Sequence, residues 1–215
     1  MSRMFDLEKI RTNEPVIVME LIDISGSMRD YSKNMVNALE EHKRDILKLD
    51  EVNTISFQRT DFGERVWMGE FLHMSEFSTD YCANGGSTTL YGAIDKVASN
   101  FFEEGGFYDS LIEEGKIPNI IFTVFSDGGD NNSTNSNYEN SKIWISKLND
   151  IGATTAFIAF DDAVGLEIAK DLGFQAKKPY EGKIGLEEAF ACISRSVAKT
   201  SKSKVALGSG FFDNV

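Results

Sequence analysis

Three short stretches carry the residues whose types and spacing could do chemistry. "DISGSM" (23–28) follows the first strongly apolar run and places Asp23, Ser25 and Ser27 at i, i+2 and i+4. On extended backbone that spacing puts the three side chains on one side, with Gly26 permitting the turn between them. "NIIFTVFSD" (119–127) is a second apolar run, closed by Asp127. "GGSTTLYGAI" (85–94) supplies a hydroxyl after a glycine pair, Thr88 first and Ser87 or Thr89 as alternatives. Three readings of "DISGSM" are open: a turn and helix cap, since Asp and Ser favour both, the nucleophile site of a phosphoryl-transfer hydrolase, or an oxygen-ligand site for a hard cation.

The hydrolase reading needs partners that are missing. Phosphoryl-transfer enzymes with an Asp nucleophile after strand one carry a second Asp two residues on as general acid, and here that position is Ser25. No phosphate-binding or dinucleotide glycine fingerprint is present, and neither Ser25 nor Ser27 sits in a Gly-x-Ser-x-Gly elbow. His42 falls mid-helix and His73 follows a strand, so neither is placed as a base. Cys82 and Cys192 are too few for a disulfide framework or a zinc site. "DGGDNNS" lacks the spacing and closing Glu of a calcium loop and reads as a solvent-facing loop at the same rim.

Composition narrows the partners. With 34 acidic and 22 basic residues, the net charge of −12 is unsuited to nucleic-acid phosphates, so no nucleic-acid partner is expected. "AKTSKSK" reads as a solvated helix end. No apolar run reaches the length of a membrane span, and the polar start lacks the apolar core of a signal peptide. A cytoplasmic protein without membrane association is the expectation.

The elements that must position these residues follow from periodicity. "PVIVMELIDIS" (15–25) reads as a strand covered on both faces, with Glu20 as the exception. Met35, Val36, Leu39, Ile46 and Leu47 predict an amphipathic helix over 31–48. "EVNTISFQ" and "ERVWMGEFL" flank "RTDFG" and predict an antiparallel hairpin over 52–72. Helices are expected over 89–103, 138–150, 163–171 and 184–199, strands at 119–127, "ATTAFIAF" and "GFQAKK", and a short helix in the 104–118 connection. The pattern is α/β: a three-layer α/β/α Rossmann-like sandwich, its central sheet mostly parallel with one antiparallel edge strand. Asp23 and Asp127 then both reach the carboxyl rim of the sheet, where ligands bind in such folds.

Asp-x-Ser-x-Ser after strand one, Thr in a Gly-rich loop and Ser-Asp-Gly after a later strand, in that order, resemble the von Willebrand factor A (vWA) family over residues 14–199. Among vWA proteins the chain is most similar to compact intracellular bacterial members of the tellurium-resistance and stress type. The resemblance implies a complete metal-ion-dependent adhesion site (MIDAS) of Asp23, Ser25, Ser27, Thr88 and Asp127. It also implies Mg²⁺, Mn²⁺ or Ca²⁺ as the ion, and a non-enzymatic role in which the ion coordinates an Asp or Glu of a protein partner. A structural subunit that works through helical faces or its tail is the second reading, and a metal-dependent hydrolase the third. Residues 1–200 are expected to form the vWA domain, and 201–215 a flexible linker and apolar tail. Phe211, Phe212 and Asp213 of that tail could dock in this domain, in a second copy or in another subunit.

Overall fold

The computed structural model describes residue 10 and residues 12–84, 86–127, 129–160, 163–180, 182–204 and 207–212. A six-stranded sheet runs in the order β3-β2-β1-β4-β5-β6. Its strands are β1 (Val16–Asp23), β2 (Ile55–Phe62), β3 (Val66–Met68), β4 (Asn119–Ser126), β5 (Thr154–Phe160) and β6 (Ala176–Tyr180). Among the described residues these strands all pair in parallel except β2 with β3, and a lone antiparallel bridge joins Phe57 to Leu72. The two edges are a three-residue strand, β3, and a strand carrying Pro179, β6, both of which blunt further pairing.

Helices α1 (Ser32–Leu47) and α6 (Gly182–Ser203) pack together on one face. The other face is covered by α2 (Leu90–Phe102), α3 (Phe107–Glu113), α4 (Asn135–Asp150) and α5 (Ala163–Leu172). Helix α1 buries Met35, Ala38, Leu39, His42 and Ile46, one stripe at helical spacing. Strand β1 is buried along its whole length. Val16, Val18 and Ile22 join the core under α1 and α6, while Ile17, Met19 and Leu21 join the other. From β1 the chain leaves over one face to β2. It returns over the other face to β4, which pairs with β1's opposite edge, so the carboxyl ends of β1 and β4 meet at a topological switch point.

Glu20, the polar exception in β1, points toward α1. Its Oε1 lies 3.1 Å from His42 Nε2, and His42 Nδ1 lies 2.8 Å from Ser194 Oγ on α6. The order Ser–His–Glu matches a hydrolytic triad, but the three residues are 6%, 1% and 0% exposed, among Phe57, Phe77 and Phe190. This is a polar tie between sheet and helices, sealed from substrate.

The hairpin differs from expectation. "RTDF" is strand rather than turn: β2 runs to Phe62, and the reversal falls at residues 63–65. Register pairs Thr60 with Met68, Asp61 with Trp67 and Phe62 with Val66. Arg59 and Asp61 tolerate strand geometry because they neutralise each other, two residues apart on one face, through contacts of 2.7 and 3.1 Å. Helix α4 begins at Asn135, before the expected 138, because Thr134 and Asn137 form a capping box. Leu47, counted in the apolar stripe of α1, is 39% exposed.

The C-terminal segment packs on the chain's own domain. Residues 201–203 are the last turn of α6. Leu207 and Gly208 then donate their N–H groups to Thr154 Oγ1 (2.9 and 3.1 Å), at the amino end of β5. Within the 3-10 turn Gly208–Phe212, Phe211 is fully buried in the core under α6, and its carbonyl accepts from Ser196 Oγ at 2.9 Å. Asp213, named with the tail, lies outside the described residues.

Candidate metal centre

Asp23 is the last residue of β1, fully buried and fixed at both carboxylate oxygens. Oδ1 accepts the Ser25 N–H (2.8 Å) and Oδ2 accepts the Ser126 hydroxyl (2.7 Å) from the end of β4. The chain then enters a 3-10 turn, Gly26–Tyr31. Ser25 Oγ and Ser27 Oγ lie 3.1 Å apart, Ser25 buried and Ser27 exposed. Ser25 accepts no side-chain capping role at that turn, so its hydroxyl is left to the rim.

Asp127 follows β4 directly and acts on Asp23 as a second negative charge. Burial, opposed by the hydrogen bonds from Ser126 and Ser25 and assisted by Asp127, pushes the Asp23 carboxyl up to about 6. Tyr81 donates its phenol to the Asp23 carbonyl at 2.6 Å. Its own ionisation is pushed up by burial first and then by Asp23, Asp61 and Asp127, so it stays a donor. The rim thus holds a buried acid beside a second acid.

Thr88, 7% exposed, is held by the loop after β4. Its N–H donates to Asn131 Oδ1 (2.8 Å), and its carbonyl accepts from the N–H groups of Asn131 (3.1 Å) and Asn132 (3.2 Å). Asp130 fixes that loop to α2. Its Oδ1 accepts the N–H groups of Asn132 (3.2 Å) and Ser133 (2.8 Å), while Oδ2 accepts the Tyr91 N–H (2.9 Å) and the Ser133 hydroxyl. Ser133 Oγ in turn accepts the Gly92 N–H at 2.9 Å. Thr89, the N-cap residue of α2, makes no side-chain cap, so the first turn of the helix is capped from this loop. The "DGGDNNS" stretch faces solvent at Asn131 and Asn132, as expected, and its described residues also clamp the Thr88 loop to α2.

Gly86 adopts φ +105°, the left-handed backbone expected before Thr88; Gly85 and Gly128 lie outside the described residues. The structure therefore brings Asp23, Ser25, Ser27 and Asp127 to the β1/β4 switch point and ties the Thr88 loop to the segment following Asp127. Sequence reasoning missed Tyr81, Ser126, Asp130 and Asn131. Ser126 stood beside Asp127 in the motif, and Asp130 and Asn131 stood in a stretch already singled out. Nothing in "TDYCAN" marked Tyr81.

The donor set suits a hard divalent cation. In an octahedral shell at about 2.0–2.1 Å, neighbouring oxygens lie about 3 Å apart, which the Ser25–Ser27 hydroxyl pair at 3.1 Å meets without rearrangement. Among the described residues no group of three or more His, Cys, Asp or Glu side chains gathers as a softer or all-acid site.

By sequence, no family model and no curated protein matches this chain. Its similarity to solved structures is extensive. The pilus adhesin SpaC from Lactobacillus rhamnosus GG, in an open conformation, matches 87% of this chain at 10% identity and a TM-score of 0.62, with 30% of the adhesin covered. Proximal thread matrix protein 1 from the mussel byssus, solved with a zinc-occupied MIDAS motif, matches 86% of this chain and 48% of its own at 17% identity and 0.58. Manganese-loaded Plasmodium vivax TRAP protein matches 83% and 72% at 17% identity and 0.56. The chain thus spans about a third of the adhesin and half of the matrix protein. At these identities the likeness is one of fold, and it agrees with the mixed sheet and its flanking helices: the chain has a vWA-like α/β fold.

Proposed function

We propose that this chain is a divalent-cation-dependent protein-interaction module in which Asp23, Ser25, Ser27, Thr88 and Asp127 hold the ion. The observation that carries this reading is the 3.1 Å hydroxyl pair of Ser25 and Ser27 beside a buried Asp23 carboxylate already oriented by Ser25 and Ser126. Hydroxyl ligands are neutral, so the ion's charge is only partly compensated by the protein, and a partner's Asp or Glu supplies the remainder. This lets a chain of net charge −12 attract an acidic residue. Mg²⁺ is the proposed physiological ion, with Mn²⁺ or Ca²⁺ able to replace it. Tyr81, Ser126, Asp130 and Asn131 are positioning residues for this set.

A non-catalytic role is part of the proposal, supported by where the histidines are used. His42 is spent on Glu20 and Ser194 inside the core, and His73 on Ser75 at a 3-10 turn. We further propose a cytoplasmic member of the compact bacterial tellurium-resistance and stress type, whose domain takes in the packed 207–212 segment as well. The exposed free thiol of Cys82 suits a reducing compartment. The competing structural-subunit reading, in which the ion only holds the loops, has one observation against its tail variant: Phe211 is buried in the chain's own core.

Affinity capture with Mg²⁺ or with chelator, on the wild type and on Ser25→Ala/Ser27→Ala, separates the two readings. The interaction-module reading predicts a partner retained only with Mg²⁺ and the intact hydroxyl pair, and lost when the partner's bridging acid is amidated. Retention by the doubly substituted protein in chelator would favour the structural subunit.

A further inference from the structure

A groove of about 390 Å³ runs beside the rim, between β2, the β3 edge and the segment that carries Glu76 and Asp80. Its lining pairs an apolar floor, including Phe77, with four acids, Asp61, Glu70, Glu76 and Asp80, against one base, Arg59. Arg59 is already engaged: it meets Asp61 through two nitrogens and donates to the Ser78 carbonyl at 2.8 Å, with its side chain only 11% exposed. Burial nevertheless holds the Asp61 carboxyl above its ordinary range, against the pull of Arg59. Arg59 is thus committed to Asp61 and Ser78, and Glu76 and Asp80 stand on the same lining as exposed carboxylates.

Trp67 is the second feature. It is 48% exposed at the sheet edge, and its register pairing with Asp61 directs both side chains to the same face. An open indole beside carboxylates is an environment for a cation that can also stack. The groove continues toward the rim through a neighbouring hollow that shares Asp61, Trp67 and Asp80 and reaches Ile24, Tyr81 and Asn84. Tyr81 is the residue whose phenol holds the Asp23 carbonyl. One continuous surface thus runs from Trp67 to Ile24 and Tyr81, beside the end of β1 that carries Asp23.

We propose that this groove recognises a basic side chain, arginine in preference to lysine, on an extended segment of a protein partner. Charge complementarity selects the cation. The planar guanidinium both stacks on Trp67 and donates in a fixed fork to carboxylates such as Glu76 and Asp80, which a point-charge ammonium cannot do together. The groove needs no metal. Only the extension, that the same partner segment also supplies the acid at the rim, rests on the function proposed above.

The test is a two-dimensional NMR titration of nitrogen-15-labelled protein with N-acetyl-arginine N-methylamide, in chelator and at constant ionic strength. N-acetyl-glutamine N-methylamide is the control probe. The expected result is saturable shifts at the Trp67 indole and at residues 59–61 and 76–80, with a Kd on the order of millimolar. The glutamine probe, and the arginine probe on Trp67→Ala or on Glu76→Gln/Asp80→Asn, should bind at least about fivefold more weakly. Trp67, Glu76 and Asp80 are exposed, so these substitutions leave the core intact. Equal response to both probes, shifts confined to other surfaces, or no response at about 100 mM arginine probe would overturn the assignment. Because chelator is present throughout, failure here and failure of the metal reading are separate results.

Discussion

Asp130→Ala is the substitution through which the loop clamp can be measured. The Asp130 carboxylate accepts from Tyr91, in the first turn of α2, and from the backbone of its own loop at Asn132 and Ser133. It therefore does the work of two caps. Each side-chain cap contributes about 1 kcal/mol, and a negative charge at a helix N-terminus about 0.3–1 kcal/mol more. The expected loss is about 2–3 kcal/mol in urea unfolding. Because Asn131 and Asn132 hold the Thr88 backbone through three hydrogen bonds, one of them from the Asn131 side chain, freeing this loop should also weaken divalent-cation binding, by about tenfold for a lost 1.4 kcal/mol of preorganisation. Urea denaturation in chelator gives the first number, and Mn²⁺ titration of folded protein gives the second. Asp130→Asn, which keeps an acceptor but not the charge, should fall between. A variant within 0.5 kcal/mol of wild type (about the scatter of neutral surface changes) and with unchanged Mn²⁺ affinity would refute the clamp.

Three further outcomes follow from the same structure. Phe211→Ala removes a fully buried ring from the core under α6 and should cost about 3–5 kcal/mol in urea unfolding without changing the oligomeric state; a cost below about 1 kcal/mol would mean the C-terminal turn is not docked. His42→Ala strands Glu20 in the core and should cost about 3–5 kcal/mol, of which Glu20→Leu/His42→Leu should recover a large part. Asp23, raised from 3.8 to about 6, favours its protonated form in the fold. In chelator its contribution to stability is therefore full below about pH 4 and declines as pH rises through about 6, by about 3 kcal/mol in all. Mn²⁺ should reverse that decline at neutral pH, and urea midpoints across pH 4–8 with and without the ion would check both signs.

The features of the fold and site legible in the sequence are those written in local pattern. Strands buried on both faces read as unbroken apolar runs, and α1 read from a single stripe. Asp23, Ser25 and Ser27 were visible because their spacing is local, and Asp127 because it closes an apolar strand. What stayed hidden depends on contacts across the chain. Glu20 stood out as an anomaly, but its partner His42 is 22 residues away on α1, and His42's other partner, Ser194 on α6, is 152 residues beyond that. The β2–β3 turn was misplaced because Arg59 and Asp61 look like loop residues until they are seen to pair with each other. Asp130 and Asn131 could not be assigned because their donors lie in the Thr88 loop and α2, some 40 residues earlier. For Phe211, docking in this domain, in a second copy or in another subunit stayed open, because polar linker composition says nothing of where the chain lands.

The most direct measurement of the central claim is calorimetric titration of Mg²⁺ and Mn²⁺ into chelator-treated protein, beside Ser25→Ala and Ser27→Ala. Each substitution deletes one hydroxyl of the 3.1 Å pair and leaves the fixed Asp23 carboxylate in place. An ion held by both hydroxyls should bind saturably, one per chain, in the wild type and at least about tenfold more weakly in either variant, a 1.4 kcal/mol loss for one missing ligand. Binding of the same strength in both variants, or none in the wild type at millimolar Mn²⁺, would contradict it.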